Sequence, residues 1–466
     1  NTATNWDCGY VPGVGKTARI LSGRHARLAS GGPFYLSQLF VSGTLQLLDI
    51  ALNVTSTFVI DTNANVTSSI GILSTSSTVI MDGASVSSTS ADINFMGFVT
   101  SSGSIGSNTG NILVDGNLTM NAGTLESPPG GTLTLNGDVI MLGTGVFRHN
   151  GSSVTLSGSS SASTTLAGYP FYNLTVSKSG GVTLFANDAT TVLGALTTSG
   201  NHQWNHGIND LTVSGNTTIG SGTNVSSTSG ALVFGSDGSD LMDNSGSVSS
   251  TSGVIEFNAV LTNNASSYIQ TNTGALTFNA ALSANNGYIF VNAGTASTTN
   301  TFTNGVGAFF DLGSGTVTST NTFTNEGTIT GGTGTFDAQA AYVSVAGTFT
   351  NGTSLFKVSG AGDRNLQLAN AYRFQNNVTG NGVVTMLKNL TITNTYDSVG
   401  ANTLNANTFV LDLNGVTNIG LNTVVTSTTG TINFTNTVGN VGKIGTLSGN
   451  LLFTNVLTNT GEIHVG

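Results

Sequence analysis

The sequence predicts an all-β chain wound as a β-solenoid, a stack of short coils of about 21 residues each. Three observations predict it: motifs repeated near that spacing, a scarcity of proline, and a composition dominated by four small or turn-compatible residue types. Gly, Asn, Thr and Ser fill 241 of the 466 positions. Charged residues are only 7%, against roughly 25% in an average soluble domain. A hydrophobic content of 38% with a net charge of −10 argues against disorder. No run approaches the ~18 apolar residues of a membrane-spanning helix. Ala, Glu, Lys and Arg are too scarce to build helical faces.

The repeats come first because they set the period. A motif of the form Val-[Ser/Thr]-Ser-Thr-[Ser/Thr]-[Gly/Ala]-x-[Ile/Leu/Val]-x-Phe occurs at Val86–Phe95, Val225–Phe234, Val248–Phe257 and Val425–Phe434. Phe-Thr-Asn begins at Phe302, Phe323, Phe349, Phe434 and Phe453, with gaps of 21, 26, 85 and 19 residues. Segments such as GVIEF, GALTF and GTINF alternate with the period of a strand. Inward positions on such strands take Val, Ile, Leu and Phe, though period two leaves open which of Val254, Ile255 and Phe257 points in. Corners take Gly, Asn and Ser, and the Asn-Gly pairs starting at Asn136, Asn150, Asn286, Asn304, Asn351, Asn381 and Asn414 are read as corners. Hairpin turns use the same pairs, but a period near 21 favours coils over hairpins. The 296 residues from Phe171 onward contain no proline, which suits strands paired on both edges. Winding residues 36–466 at this period gives roughly 20 coils.

The division expected is a cap or assembly segment over 1–35, a first stretch of solenoid over 36–170 and its proline-free continuation over 171–466. Residues 1–35 hold Lys16, Arg19, Arg24, Arg27 and the single Cys8, with a net charge of +3. They are expected to cover the edge of the first coil, which otherwise invites unwanted pairing. The C-terminal stretch GNLLFTNVLTNTGEIHVG reads as an ordinary repeat without a cap, so a further segment or another subunit is expected to cover it. No basic-then-apolar leader opens the chain, and an export signal is expected to have been removed.

The opening Asn5-Trp6-Asp7-Cys8-Gly9-Tyr10-Val11-Pro12-Gly13 resembles the W-x-x-G-x-V-P start of large bacterial secreted and cell-surface repeat proteins, adhesin-like or filament-forming. Phe171–Leu184, Asp115–Leu125 and Asn209–Ile219 are similar to their coil repeats. The resemblance implies a right-handed parallel β-helix and a secreted, cell-surface location. Gly15-Lys16-Thr17-Ala18-Arg19-Ile20 replaces the G-D-x-V-x-I continuation of those proteins, which implies a specialised cap.

Candidate chemistry is sparse. Asp237, Asp240 and Asp243 form the one dense acidic segment. They are read as a solvated loop or a Ca²⁺ site, the only cofactor considered, since Ca²⁺ takes six to eight oxygen ligands. The spacing departs from the D-x-D-x-D-G loop, and no basic residue lies between Lys178 and Lys357. His202 and His206 flank Trp204. A strand holds such a pair about 13 Å apart, so a packed aromatic cluster is favoured over a shared metal, with Trp204 as an alternative sugar-stacking face. Cys8 alone excludes a disulfide-stapled fold. An acidic body with scattered cations lacks the footprint of nucleic-acid binding, and no Gly-rich loop leads into Gly-Lys-Ser/Thr. No catalytic residues are assigned, and an enzyme is the least favoured class.

The leading expectation is an extracellular structural subunit that stacks head-to-tail into a homopolymeric surface filament. Its assembly residues are Trp6, Cys8, Lys16, Arg19, Arg24 and Arg27 at one end, and Phe453, Glu462 and His464 at the other. The alternative is a cell-surface adhesin whose rod presents a glycan- or surface-binding site. Ice binding by outward Thr ladders ranks third, because coils of 19 to 26 residues spoil a flat lattice. Neither nucleic acid nor membrane insertion is expected.

Overall fold

The computed structural model describes residues 13–29, 32–281 and 283–466. Among these, every regular element is a strand, and there is no helix long and apolar enough to cross a membrane. Strands pair in parallel with their equivalents one coil away, and the chain makes about 21 turns of β-solenoid. It divides into two compact units, Asn1–Ser226 and Ser227–Gly466.

The first unit shows the period directly in its register. Leu52 pairs with Leu73, Leu73 with Ile93, Ile93 with Ile112, and the column continues through Leu133, Val154, Leu174 and Leu196. All are buried. Early coils use long strands, such as Phe34–Val41 and Leu52–Ile60. Their register slips between Leu36 and Gln38 and between Val54 and Thr57. From Ile93 the coil instead breaks into three short strands, Ile93–Phe95, Val99–Ser101 and Ser104–Ser107. The new corner coincides with Gly97, and the next two coils place Gly116 and Gly137 over it. A Cβ at Gly116 would overlap the Gly97 carbonyl, and one at Gly137 the Gly116 carbonyl. A bulge therefore becomes a corner where the sequence supplies a residue small enough for backbones to stack in contact.

The segment expected as a cap is itself coil from Thr17 onward. Thr17–Ile20 pairs with Gln38–Val41, and His25–Leu28 pairs with Thr44–Leu47. Ala18, Ile20 and Leu28 point inward. The same backbone alternation that builds later coils builds this one, and its cations lie on the outward positions.

In the second unit the structure decides what period two left open. Ile255 and Phe257 are buried and Val254 is exposed. Like residues stack on like. Phe257 lies between Phe234 and Phe278 with centroids 5.5 and 5.4 Å away. A second column runs Phe336, Phe356, Phe374, Tyr396 at 5.4, 6.0 and 6.0 Å, with planes within 15° of parallel. Such offset stacks add about 0.5–1.5 kcal/mol per pair beyond the buried area.

A column of amides runs through this unit as well. Asn244, Asn263, Asn285, Asn304 and Asn325 are all buried. The Nδ2 of each of the first four donates to the Oδ1 of the next, at 2.7, 2.7, 2.8 and 2.8 Å, and that of Asn325 donates to the Tyr342 hydroxyl at 3.3 Å. The second Nδ2 hydrogen goes to a backbone carbonyl, of Tyr268, Tyr288, Phe309, Thr328 and Thr348 in turn. Asn304, read from Asn-Gly as a corner, thus ends the strand Phe302–Asn304 with its side chain turned inward. Burial is tolerated because both donors and the acceptor are satisfied. Corners outside this column are also cross-linked between coils: Asp92 accepts from the Asn111 N–H at 2.8 Å, and Asn111 from the Thr132 N–H at 3.0 Å.

Removing a middle amide should leave its two neighbours short of a partner, at about 1–3 kcal/mol per orphaned group. Asn285→Ala is expected to lower unfolding free energy by roughly 2–4 kcal/mol. Asn286→Ala, one residue on and exposed, should change it by less than about 0.5. Denaturant midpoints of the two variants check the ladder.

Candidate functional site

The surfaces that set this chain apart from a uniform stack are its first and last coils. At the first, Lys16, Arg19, Arg24 and Arg27 are all exposed. Arg19 lies over the Phe40 ring of the next coil, 4.8 Å from its centroid, as expected for the register pair Arg19–Phe40. Thr17–Ile20 has no partner on its other edge among the described residues. Trp6 and Cys8 lie outside the described residues.

The last coil comprises Leu451–Phe453, Leu457–Asn459 and Glu462–Val465, paired with Ile432–Phe434, Val438–Asn440 and Lys443–Thr446. One coil earlier Ile432, Phe434, Val438, Asn440 and Ile444 are at most 1% exposed. Their counterparts Leu451, Phe453, Leu457 and Ile463 are only half-buried, and Asn459 is exposed. Phe453 stacks on Phe434 at 4.8 Å and 4°, leaving its other ring face uncovered. Asn440 donates to Asn459 at 2.6 Å, so an amide ladder also reaches this surface.

Glu462 and His464 point the other way. Glu462 bridges Lys443 and His464, each at 3.0 Å, on the outer surface. The His464 hydrogen bond, then that of Lys443, holds its carboxyl below the usual range. Phe453 therefore belongs to the open interior, whereas Glu462 and His464 decorate its outer rim.

The acidic segment disperses its three carboxylates among protein donors. Asp240 accepts from the N–H of Ser236 at 2.8 Å and from that of Asp237. Asp237 accepts from the N–H and hydroxyl of Ser239 at 2.8 and 2.6 Å, which lowers its pKa. Asp243 accepts from Asn264 one coil on. No group of three His, Cys, Asp or Glu is placed to hold a metal ion among the described residues.

Trp204 is 1% exposed, which overturns its reading as a sugar-stacking face. The strand His202–Asn205 points His202 and Trp204 inward, and Trp204 packs on His206 at 4.6 Å. The packed cluster is the arrangement found.

Two features escaped the sequence reading. Lys178 and Arg364 are buried singletons. Lys178 donates to the carbonyls of Ser157, Asn136 and Ser160 at 2.7, 3.1 and 3.4 Å. Arg364 donates to those of Gln339 and Gly362 at 2.7 and 3.0 Å, and to that of Ser359. On the outside of the second unit, Tyr268, Tyr288, Phe290 and Phe309 form a palisade of rings with neighbouring centroids 5.0–6.3 Å apart. The spacing of Tyr268, Tyr288 and Phe309, set against the repeat period, was the available signal.

Comparison with known protein families, with curated proteins and with solved structures finds no match.

The difference between the last two coils is measurable in stability. Phe434→Ala should cost about 3–5 kcal/mol, the usual range for a buried Phe. Phe453→Ala in dilute monomer should cost well under half of that. Equal losses in urea unfolding would mean that the last coil is covered in solution.

Proposed function

We propose that this chain is an extracellular structural protein, a β-solenoid subunit that stacks head-to-tail by β-strand addition into a surface filament. The observation that carries the proposal is the last coil. Its inward side chains Leu451, Phe453, Leu457 and Ile463 stand in register with buried equivalents one coil earlier and are themselves only half-buried. Fully burying each such side chain contributes on the order of 1.5–3 kcal/mol. The strands beside them pair in the same parallel pattern as Thr17–Ile20 and His25–Leu28 do with the next coil, the pattern that strand addition extends. Joining unlike ends without a rotation that closes a ring repeats the contact into a fibre. The cations of the first coil discourage unspecific edge pairing and suit an otherwise acidic chain. The extracellular placement rests on the resemblance of the opening segment to secreted bacterial proteins.

The test is the size of the purified 466-residue chain as its concentration rises. Sedimentation velocity and negative-stain microscopy should show unbranched oligomers whose length grows with concentration. Phe453→Asp with Ile463→Asp should leave monomers at every concentration while keeping the β signature in circular dichroism. Monomers of the unaltered chain throughout, or unchanged fibres from the double variant, would sink the proposal.

A further inference from the structure

Six of the buried polar atoms without a partner among the described residues gather in one stretch of the first unit. They are both ring nitrogens of His202, both of His206, the Trp204 indole nitrogen and the Thr217 hydroxyl. His202 is 2% exposed and His206 fully buried. Neutral imidazole survives there as a packing group. A protonated one would be an unpaired cation in an apolar interior, which is far costlier than an unpaired neutral group.

Nothing in the surrounding coils offers a counter-charge. The strands flanking His202–Asn205 are Val182–Ala186 and Thr223–Ser227, in register with Val182 and Thr223 against His202. Neither strand contains a titratable residue, and nor does Leu196–Ser199. The strand Asn173–Lys178 contributes a charge of the wrong sign, the ammonium of Lys178, while the backbone carbonyls of Lys178 and Ser199 give the His202 ring dipoles but no counter-charge. The carboxylate that acts on Lys178 is Asp138, which is engaged by the Ser163 N–H at 2.7 Å. Asp188, nearby in the chain, accepts from the Leu166 N–H at 2.7 Å, and Asp210 is exposed. His206 packs its ring on that of Trp204, 4.6 Å between centroids.

We propose that the coils around His202–His206 form an acid-sensitive segment that opens in mild acid while the coils of the second unit stay closed. The contrast is built into the two interiors. The second unit's only histidine is the exposed His464, and its internal polar column from Asn244 to Asn325 consists of amides that do not titrate. In the first unit, acid adds up to two cations beside one already present.

The sign follows from linkage. Burial pushes the His206 pKa down to about 3; burial also lowers that of His202, opposed by the backbone carbonyls of Lys178 and Ser199 and reinforced by the Lys178 charge. An opened segment regains the ordinary value of about 6.5. Below that pH the opened form binds protons that the closed form refuses, so closure weakens as pH falls from about 6.5 toward 3. The opening equilibrium should rise up to tenfold per pH unit for each histidine. Above about pH 7 it should be flat.

Hydrogen exchange measured by mass spectrometry on the full chain, corrected for intrinsic rates, tests this. Between pH 6.5 and 4.5, peptides over 196–219 should gain at least a hundredfold in opening, and those over 255–330 less than threefold. His202→Leu with His206→Phe should remove the excess. If that variant folds poorly, His202→Gln alone should reduce the slope toward tenfold per unit. Equal acceleration in both units would overturn the proposal, and so would an undiminished acid response in either variant.

Discussion

Parallel stacking in register, one coil on the next at a spacing of ~4.8 Å, is the constraint from which the rest of this structure follows. It sets each inward side chain on its own equivalent, so a position is usable only if its occupant can lie against a copy of itself. Aliphatic residues, flat rings and amides meet that condition, and the columns from Leu52 to Leu196, from Phe336 to Tyr396 and from Asn244 to Asn325 are the result. Like charges do not meet it. Two of them one rung apart repel by about 1 kcal/mol even in water, and by several times more at protein-like permittivity. A 7% charge content is therefore a consequence of the architecture. The inward cations Lys178 and Arg364 obey the same rule, since each faces backbone carbonyls and neither stacks on another cation.

The constraint also defines where the stack is incomplete. An interior coil has its hydrogen bonds and apolar faces met from above and below. In the last described coil Phe453 is half-buried, while Phe434, 4.8 Å beneath it, is sealed. Head-to-tail growth and the covering of an edge are in this sense one physical problem. The acid-sensitive segment is its counterpart in the interior, where His202 and His206 occupy inward positions without the amide's ability to satisfy itself from rung to rung.

The candidate sites were legible in uneven measure. Phe453, on the strand Leu451–Phe453, turns toward the interior, whereas Glu462 and His464, on Glu462–Val465, lie on the outer surface. Asp237, Asp240 and Asp243 looked dense along the chain, yet their side chains go to separate donors, since Asp243 lies within the strand Leu241–Asn244 and the other two precede it. Trp204 carries polar neighbours in sequence, but strand alternation sends those neighbours outward and the indole in. Asn304 was misjudged for a related reason. Its preference for turns is a local property, and the ladder that turns it inward exists only between coils.

By itself the sequence determined the period, the strand content and the absence of helix, because these depend on repeat spacing, alternation and turn-forming residues that act locally. It also restricted the interior to residues able to stack on themselves. Only the tertiary structure decided phase: that Ile255 and Phe257 face in while Val254 faces out, that the first 35 residues already wind from Thr17, and that His202 and His206 lie where no counter-charge reaches them. Period two makes both faces of a strand equivalent along the chain. Contact with the coil above and below breaks that equivalence, and those partners sit some 20 residues away.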